Sequence, residues 1–324
     1  MTVAGSVVAI DVGGTTTKAA RFAADGAVLV ERVVPTPVAD GPDAVVTAVR
    51  ALARELVEEA DDVLACGLVV PGEVDSAAGV ARYSANLGWR GLAFRDVLAA
   101  EVGVPTVLGH DVRAGAYAER ELGASHGVAD SVVVPIGTGV AAVAVSEGRA
   151  IHGATALAGE LGHLAVVPDG EPCPCGQRGC LERYASAAAI ARHYEQRTGT
   201  PTDARTVAAR IAEDPDADPD AVAAWRQATD ALATALAACT VLLDPSLFVL
   251  AGGLAEAGET LATPVRDRLA ELVRFRPVPP VAVSPLGGAA GRIGAALLAW
   301  DLVGGADLAR WRARWRTRWR GRIG

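Results

Sequence analysis

The chain has 324 residues, 51% of them hydrophobic, enough for a sizeable buried core and, by length alone, for about two domains. A formal net charge of −8 and a pI near 5.2 argue against a nucleic-acid-binding surface over most of the chain. No run approaches the roughly 20 apolar residues of a membrane span, and the opening MTVAGSVVAIDVGG lacks the basic flank of a signal peptide. A cytoplasmic protein with reduced thiols is therefore expected.

Residues 7–10 are a short β-branched apolar run that ends in Asp11-Val-Gly-Gly-Thr-Thr-Thr-Lys18 and continues as alternating Ala20-Arg-Phe-Ala23. The pattern predicts strand, glycine turn, strand. Gly13 and Gly14 let backbone N–H groups approach phosphate oxygens, the hydroxyls of Thr15 and Thr16 add donors, and Lys18 adds positive charge. Asp11 would then lie near the phosphates as a ligand to magnesium-bound water. No GK[ST] opens a helix here, so this is not a Walker motif; taken alone, an ordinary hairpin also fits.

A third strand is predicted over 27–34, a helix over 42–60 with Val45, Val49, Leu52 and Leu56 on one face, and a strand over 64–70. Asn86-Leu-Gly-Trp89 follows in a Gly-rich loop, then a strand over 104–108, Gly109-His110-Asp111, and a helix over 112–122. An Asp at such a junction is most often an N-cap. The theme restarts with a strand over 131–136, the turn Gly137-Thr138-Gly139 and a strand over 140–145, a weak internal duplication. Helical patterns run over 186–242, broken at Pro201 and near 213–216; a strand over 247–251 meets the paired glycines Gly252 and Gly253. A strand over 281–284 and a Gly-rich helix over 289–302 close the pattern, which is that of α/β layers.

Between these elements lies GELGHLAVVPDGEPCPCGQRGCLE, residues 159–182, holding three of the five cysteines. His163, Cys173, Cys175 and Cys180 form a zinc complement of four ligands with no position left for water, the mark of a structural site. Free thiols or a disulfide would fit the same residues less well. Glu160 and Glu182 flank the cluster, and a knuckle that needs only zinc has no use for them. They point to a loop whose acids face a polar ligand.

The run Gly159-Glu-Leu-Gly-His163 with Cys173-Pro-Cys-Gly-Gln-Arg-Gly-Cys-Leu-Glu182 resembles the signature of the ROK family of bacterial sugar kinases and sugar-responsive repressors. DxGGTxxK resembles the first phosphate motif of that fold. The resemblance implies an actin-like ATPase (ribonuclease H-like) α/β fold with two domains flanking a nucleotide and sugar cleft. It implies zinc on the His and three Cys, and a sugar pocket lined by Asn86, Glu160, His163 and Glu182. ATP with Mg²⁺ would be held by Asp11 to Lys18, Gly137 to Gly139, and Gly252-Gly253. In the family an Asn-Asp pair stands where this chain has His110-Asp111, and its Asp takes the proton of the attacking sugar hydroxyl. Asp111 matches, and His110 departs at a position next to the sugar.

The expected division is residues 1–111, completed by the closing helix at about 289–305; then 112–288 with the zinc motif; then a tail over 306–324. The activity implied is ATP-dependent phosphorylation of the 6-hydroxyl of a hexose, in a cytoplasmic homodimer or homotetramer with no DNA partner. The alternatives are an N-acetylhexosamine kinase of the same family and a non-catalytic sugar-binding or regulatory protein. Six residues before Val7 are too few for a helix-turn-helix domain, which weighs against a DNA-binding regulator. From Arg310 on, the tail carries seven basic residues, no acid, and Trp311, Trp315 and Trp319 at helical spacing. Such a stripe suits RNA or an acidic membrane surface, or packing on its own protein.

Overall fold

Val7, Val8, Ala9 and Ile10 are fully buried in the computed structural model of the chain, because the first apolar run is a central strand covered on both faces. Residues 5–214, 216–304 and 308–320 are described. The strand, β1 (Ser6–Val12), pairs antiparallel with β2 (Thr16–Ala23), which pairs antiparallel with β3 (Val28–Pro35). Helix α1 (Pro42–Glu58) starts with Pro at its first turn and buries Val45, Val49, Leu52, Ala53 and Leu56 against this sheet. The chain then gives β4 (Val63–Val70), a small antiparallel sheet of β5 (Glu73–Asp75), β6 (Val80–Tyr83) and β7 (Arg90–Leu92), helix α2 (Phe94–Val102), β8 (Thr106–His110) and α3 (Asp111–Leu122). The first sheet has the order β3-β2-β1-β4-β8, with β4 and β8 parallel to β1.

The second unit, residues 124–288, repeats this plan. It holds β9 (Ser131–Pro135), β10 (Val143–Ser146), β11 (Arg149–Ala150), α4 (Glu182–Ala185), α5 (Ala187–Thr198), α6 (Ala204–Glu213), α7 (Pro219–Leu243), β12 (Leu247–Ala251), α8 (Glu259–Leu272) and β13 (Val281–Val283). Its sheet order is β11-β10-β9-β12-β13: again an antiparallel hairpin pair, then two parallel strands. Both sheets therefore place a glycine turn between their first two strands. Asp203 and Asp218 cap α6 and α7, so the predicted breaks near Pro201 and 213–216 are real helix boundaries.

The chain returns to the first unit as α9 (Ala290–Val303), which packs on β1, β4 and α3, and α10 (Leu308–Arg320). The division falls after Gly123 rather than at residue 111, because α3 packs along α9 and belongs with it. The tail joins the same unit. Trp311, Trp315 and Trp319 are buried, with Trp315 stacked 5.3 Å from Phe22 and Trp311 5.8 Å from Trp300. Arg312 pairs with Asp301 at 2.7 Å, and Arg318 pairs with Asp25. With the indoles folded inward, they cannot stack on bases or enter a membrane surface. Among the described residues no helix is long and apolar enough to cross a membrane.

Candidate active site

In the first unit the glycine turn is held by side chains as well as backbone. Gly13 N–H donates to the Thr16 carbonyl at 3.0 Å, the Thr36 hydroxyl donates to the Gly13 carbonyl at 2.8 Å, and Thr36 N–H donates to the Thr15 carbonyl at 2.9 Å. Thr17 and Thr36 share a further hydroxyl bond at 3.0 Å, so Thr36, at the end of β3, fixes a turn whose Gly14 and Thr15 are left exposed. Sequence reasoning missed Thr36: nothing in its neighbours announces a contact made across two strands. Asp11 and Lys18 are cross-strand partners. The N-terminal turn of α9 closes over Asp11 so tightly that a Cβ at Gly291 would stand 2.4 Å from its Oδ2. Burial and the like charge of Asp111 push the Asp11 carboxyl up to about 7, against the pull of Lys18 and Arg292.

Asn86 stands beside this turn: a Cβ at Gly14 would come 4.0 Å from the Asn86 Cβ. Its loop is anchored by the buried Leu87 and Trp89, the latter set edge-on to Phe94, so that Asn86 itself is presented to solvent. At the β8–α3 junction the cap is His110 rather than Asp111. His110 Nδ1 accepts from Arg113 N–H at 3.5 Å, while Asp111 opens the helix with Oδ1 accepting from Val112 N–H at 2.7 Å. Asp11, Lys18, Asn86, His110 and Asp111 thus gather in the first unit.

The second unit gathers the rest. Gly137 N–H donates to the Gly139 carbonyl at 2.9 Å, and the Gly252-Gly253 turn lies alongside, with Leu254 N–H on the Ile136 carbonyl at 3.1 Å. Glu182, first residue of α4, reaches back to this turn: its Oε2 accepts from Val140 N–H at 3.2 Å, and a Cβ at Gly139 would meet that oxygen at 2.4 Å. The acid read as a sugar ligand is thus also the fastener of the Gly137–Gly139 turn. Glu160 is exposed and precedes a single 3-10 turn, Leu161–His163.

His163, Cys173, Cys175 and Cys180 bring their ligand atoms within 4.8 Å of one another. Cys175 and Cys180 sulfurs are 3.7 Å apart and Cys173 Sγ is 3.9 Å from His163 Nδ1. Two thiolates at about 2.3 Å from a tetrahedral zinc stand roughly 3.8 Å apart, so the cluster fits that ion. Burial and the neighbouring thiols push Cys180 up to about 12, which is the electrostatic cost a divalent cation removes.

The ROK family model matches residues 7–301. A glucokinase of Streptomyces coelicolor is 31% identical over 91% of this chain and 98% of its own length. An N-acetylmannosamine kinase of Citrobacter koseri is 36% identical over 91% and 98%. The crystal structure of a ROK family glucokinase from Streptomyces griseus in complex with glucose and AMPPNP superposes with a TM-score of 0.82 at 31% identity, covering 92% of this chain and all (100%) of that one. The α/β architecture is accordingly the actin-like ATPase fold, and the chain belongs to the ROK family.

Proposed function

We propose that the protein transfers the γ-phosphoryl group of ATP to the 6-hydroxyl of a hexose. The observation that carries this reading is the grouping of an acid at the start of α3, Asp111, with the Asp11–Lys18 turn in one unit, close enough for its charge to act on Asp11. Phosphoryl transfer asks a protein mainly for positioning and charge neutralisation. The amides of residues 13–16 and Lys18 would cradle phosphate oxygens, and the Gly137–Gly139 and Gly252-Gly253 turns would receive the rest of the nucleotide. Asp111 would accept the hydroxyl proton as the new O–P bond forms and the bond to ADP breaks. Asn86, Glu160, His163 and Glu182 would fix the other hydroxyls, with His110 at the edge of the same set.

Mg²⁺ suits the crowded Asp11 carboxylate, would be held there through water, and supplies neutralisation of phosphate charge. Zinc on His163, Cys173, Cys175 and Cys180 would hold the 159–182 loop and take no part in the chemistry. Relatives at 31% and 36% identity include a glucokinase and an N-acetylmannosamine kinase, so an acetylated aminohexose is the second reading.

The test is ADP release across hexoses and acetylated aminohexoses, run with wild type and Asp111→Asn. Turnover on at least one sugar is expected, falling about 100-fold or more in Asp111→Asn while sugar binding persists. No ADP release with any sugar would refute the reading, and turnover within about threefold of wild type would remove Asp111 from the role of base.

A further inference from the structure

One acid of the knuckle has no place in the metal or sugar sets. Glu171 lies two residues before Cys173, outside the metal-ligand group, and its carboxylate is engaged elsewhere. Oε1 meets His193 Nε2 at 2.7 Å, and Oε2 accepts from Arg192 at 2.9 Å and from Arg183 at 3.2 Å. Its backbone is engaged too: Glu171 N–H donates to the Tyr184 hydroxyl at 2.7 Å, and its carbonyl accepts from Gly179 N–H at 2.9 Å. Arg192 closes the set by donating to the Arg183 carbonyl at 2.6 Å. One residue therefore joins the knuckle to α4 through Arg183 and Tyr184, and to α5 through Arg192 and His193.

What this fastens is the element that carries Glu182. Helix α4 is four residues long and has no side-chain N-cap, far below the roughly 12 residues at which a helix begins to hold itself together. Its geometry has to be imposed from outside. One constraint is Cys180, two residues upstream of Glu182 and part of the metal cluster. A second is the burial of Leu181, Tyr184 and Ala185 in the core of the unit, and a third is Glu171, gripping the two residues that follow Glu182, Arg183 by its side chain and Tyr184 by its hydroxyl. The hub is part-sheltered: His193 is 3% exposed, while the Glu171, Arg183 and Arg192 side chains are 29%, 26% and 28% exposed, so its charge-assisted bonds are screened in part.

We infer that Glu171 is a positioning residue for the sugar site, setting the direction of Glu182 through the residues that follow it and independently of the metal. The inference rests on the reading of Glu182 as a sugar ligand. It predicts a selective defect. Full-length Glu171→Ala should keep its zinc, hold kcat near wild type and raise the KM for sugar about tenfold, the scale on which supporting contacts act, with a smaller rise in the KM for ATP because Glu182 also ties the Gly137–Gly139 turn. Glu171→Gln preserves shape and one acceptor oxygen and should recover most of the loss.

Zinc by elemental analysis, both KM values, kcat and the thermal midpoint are measured for the wild type and both variants. Should Glu171→Ala not fold, Glu171→Gln and His193→Asn carry the same comparison, each expected to raise the sugar KM by a smaller factor with zinc intact. An unchanged sugar KM with wild-type zinc overturns the proposal, as does an equal rise in both KM values, which marks general damage. Loss of zinc in Glu171→Ala would show that Glu171 acts through the metal and overturns its independence. A wild type that turns over no sugar defeats the reading of the site itself, an outcome distinct from an active wild type with an indifferent Glu171.

Discussion

The two units build the same sheet and the same glycine turn by different means. In the first, the turn at 13–16 is tied by Thr36 from the neighbouring strand and roofed by the start of α9 over Asp11. In the second, the turn at 137–140 is tied by Glu182, which sits on a four-residue helix at the end of a loop gathered by one His and three Cys. The first turn is fixed by elements that any folded sheet supplies. The second depends on a long loop that has little regular structure of its own, and it is there that four side chains able to hold a metal converge. Ordering such a loop costs conformational entropy residue by residue, which metal coordination offsets through binding free energy available only in the folded state.

The largest effect expected from this difference comes on removing the metal. Cys175→Ser should release the one zinc per chain proposed for this cluster and weaken sugar binding about 10- to 100-fold, with a smaller change for ATP. Hydrogen exchange should then rise in residues 137–140 as well as in 159–182, because Glu182 links them, while residues 13–16 stay protected. Purified protein without zinc, or equal deprotection of both turns, would break the comparison.

A smaller effect belongs to the first unit. Its turn has no metal cluster, and its tension is electrostatic: Asp11 is raised from 3.8 to about 7 by burial and by Asp111. A carboxyl whose folded pKa is raised contributes stability that is fully present below the unfolded value and lost as pH rises through the folded one. The nucleotide-free protein should therefore lose thermal stability between about pH 4 and pH 7, and Asp11→Asn should flatten that part of the profile. Thermal melts across this range decide it; parallel profiles for the two proteins would show that Asp11 bears no such strain.

The same contrast governs what could be read from sequence. β-Branched runs ending in glycine pairs gave both hairpins, since the strand and its turn are adjacent in the chain. The helix breaks at Pro201 and near 213–216 were legible for the same local reason, though the caps that follow them, Asp203 and Asp218, were not. The small sheet β5-β6-β7 leaves little signal in the sequence, because its strands are three or four residues long and carry exposed Tyr83 and Arg90. Helix α2 was not anticipated, since its nine residues carry too few turns of periodicity to stand out. The metal cluster was legible because its spacing is its signal. Thr36 and Glu171 were not, since each takes its role from residues brought near only by the fold: Gly13 is 23 positions from Thr36, and His193 is 22 from Glu171. For the tail, composition left a foreign surface and its own protein both open, and Phe22, Trp300, Asp301 and Asp25 on its own unit receive its Trp and Arg.

The smallest effect concerns His110, which stands where the resemblance to the ROK motif implies an Asn. Its Nδ1 lies 3.5 Å from Arg113 N–H and 3.3 Å from Asp111 Oδ1. It can accept from the first or, if it carries a proton, donate to the second, but not both at once. Asn is among the best N-cap residues, so His110→Asn should preserve the α3 cap and leave the thermal midpoint unlowered. Any change in sugar preference must then come from the far edge of the ring, where an imidazole N–H is exchanged for an amide, rather than from a loosened helix. The ratio of kcat/KM for glucose and N-acetylglucosamine should shift by about fivefold, the low end of what an unpaired polar group costs. An unshifted ratio with an intact cap would make His110 a helix cap alone and leave the sugar set without it.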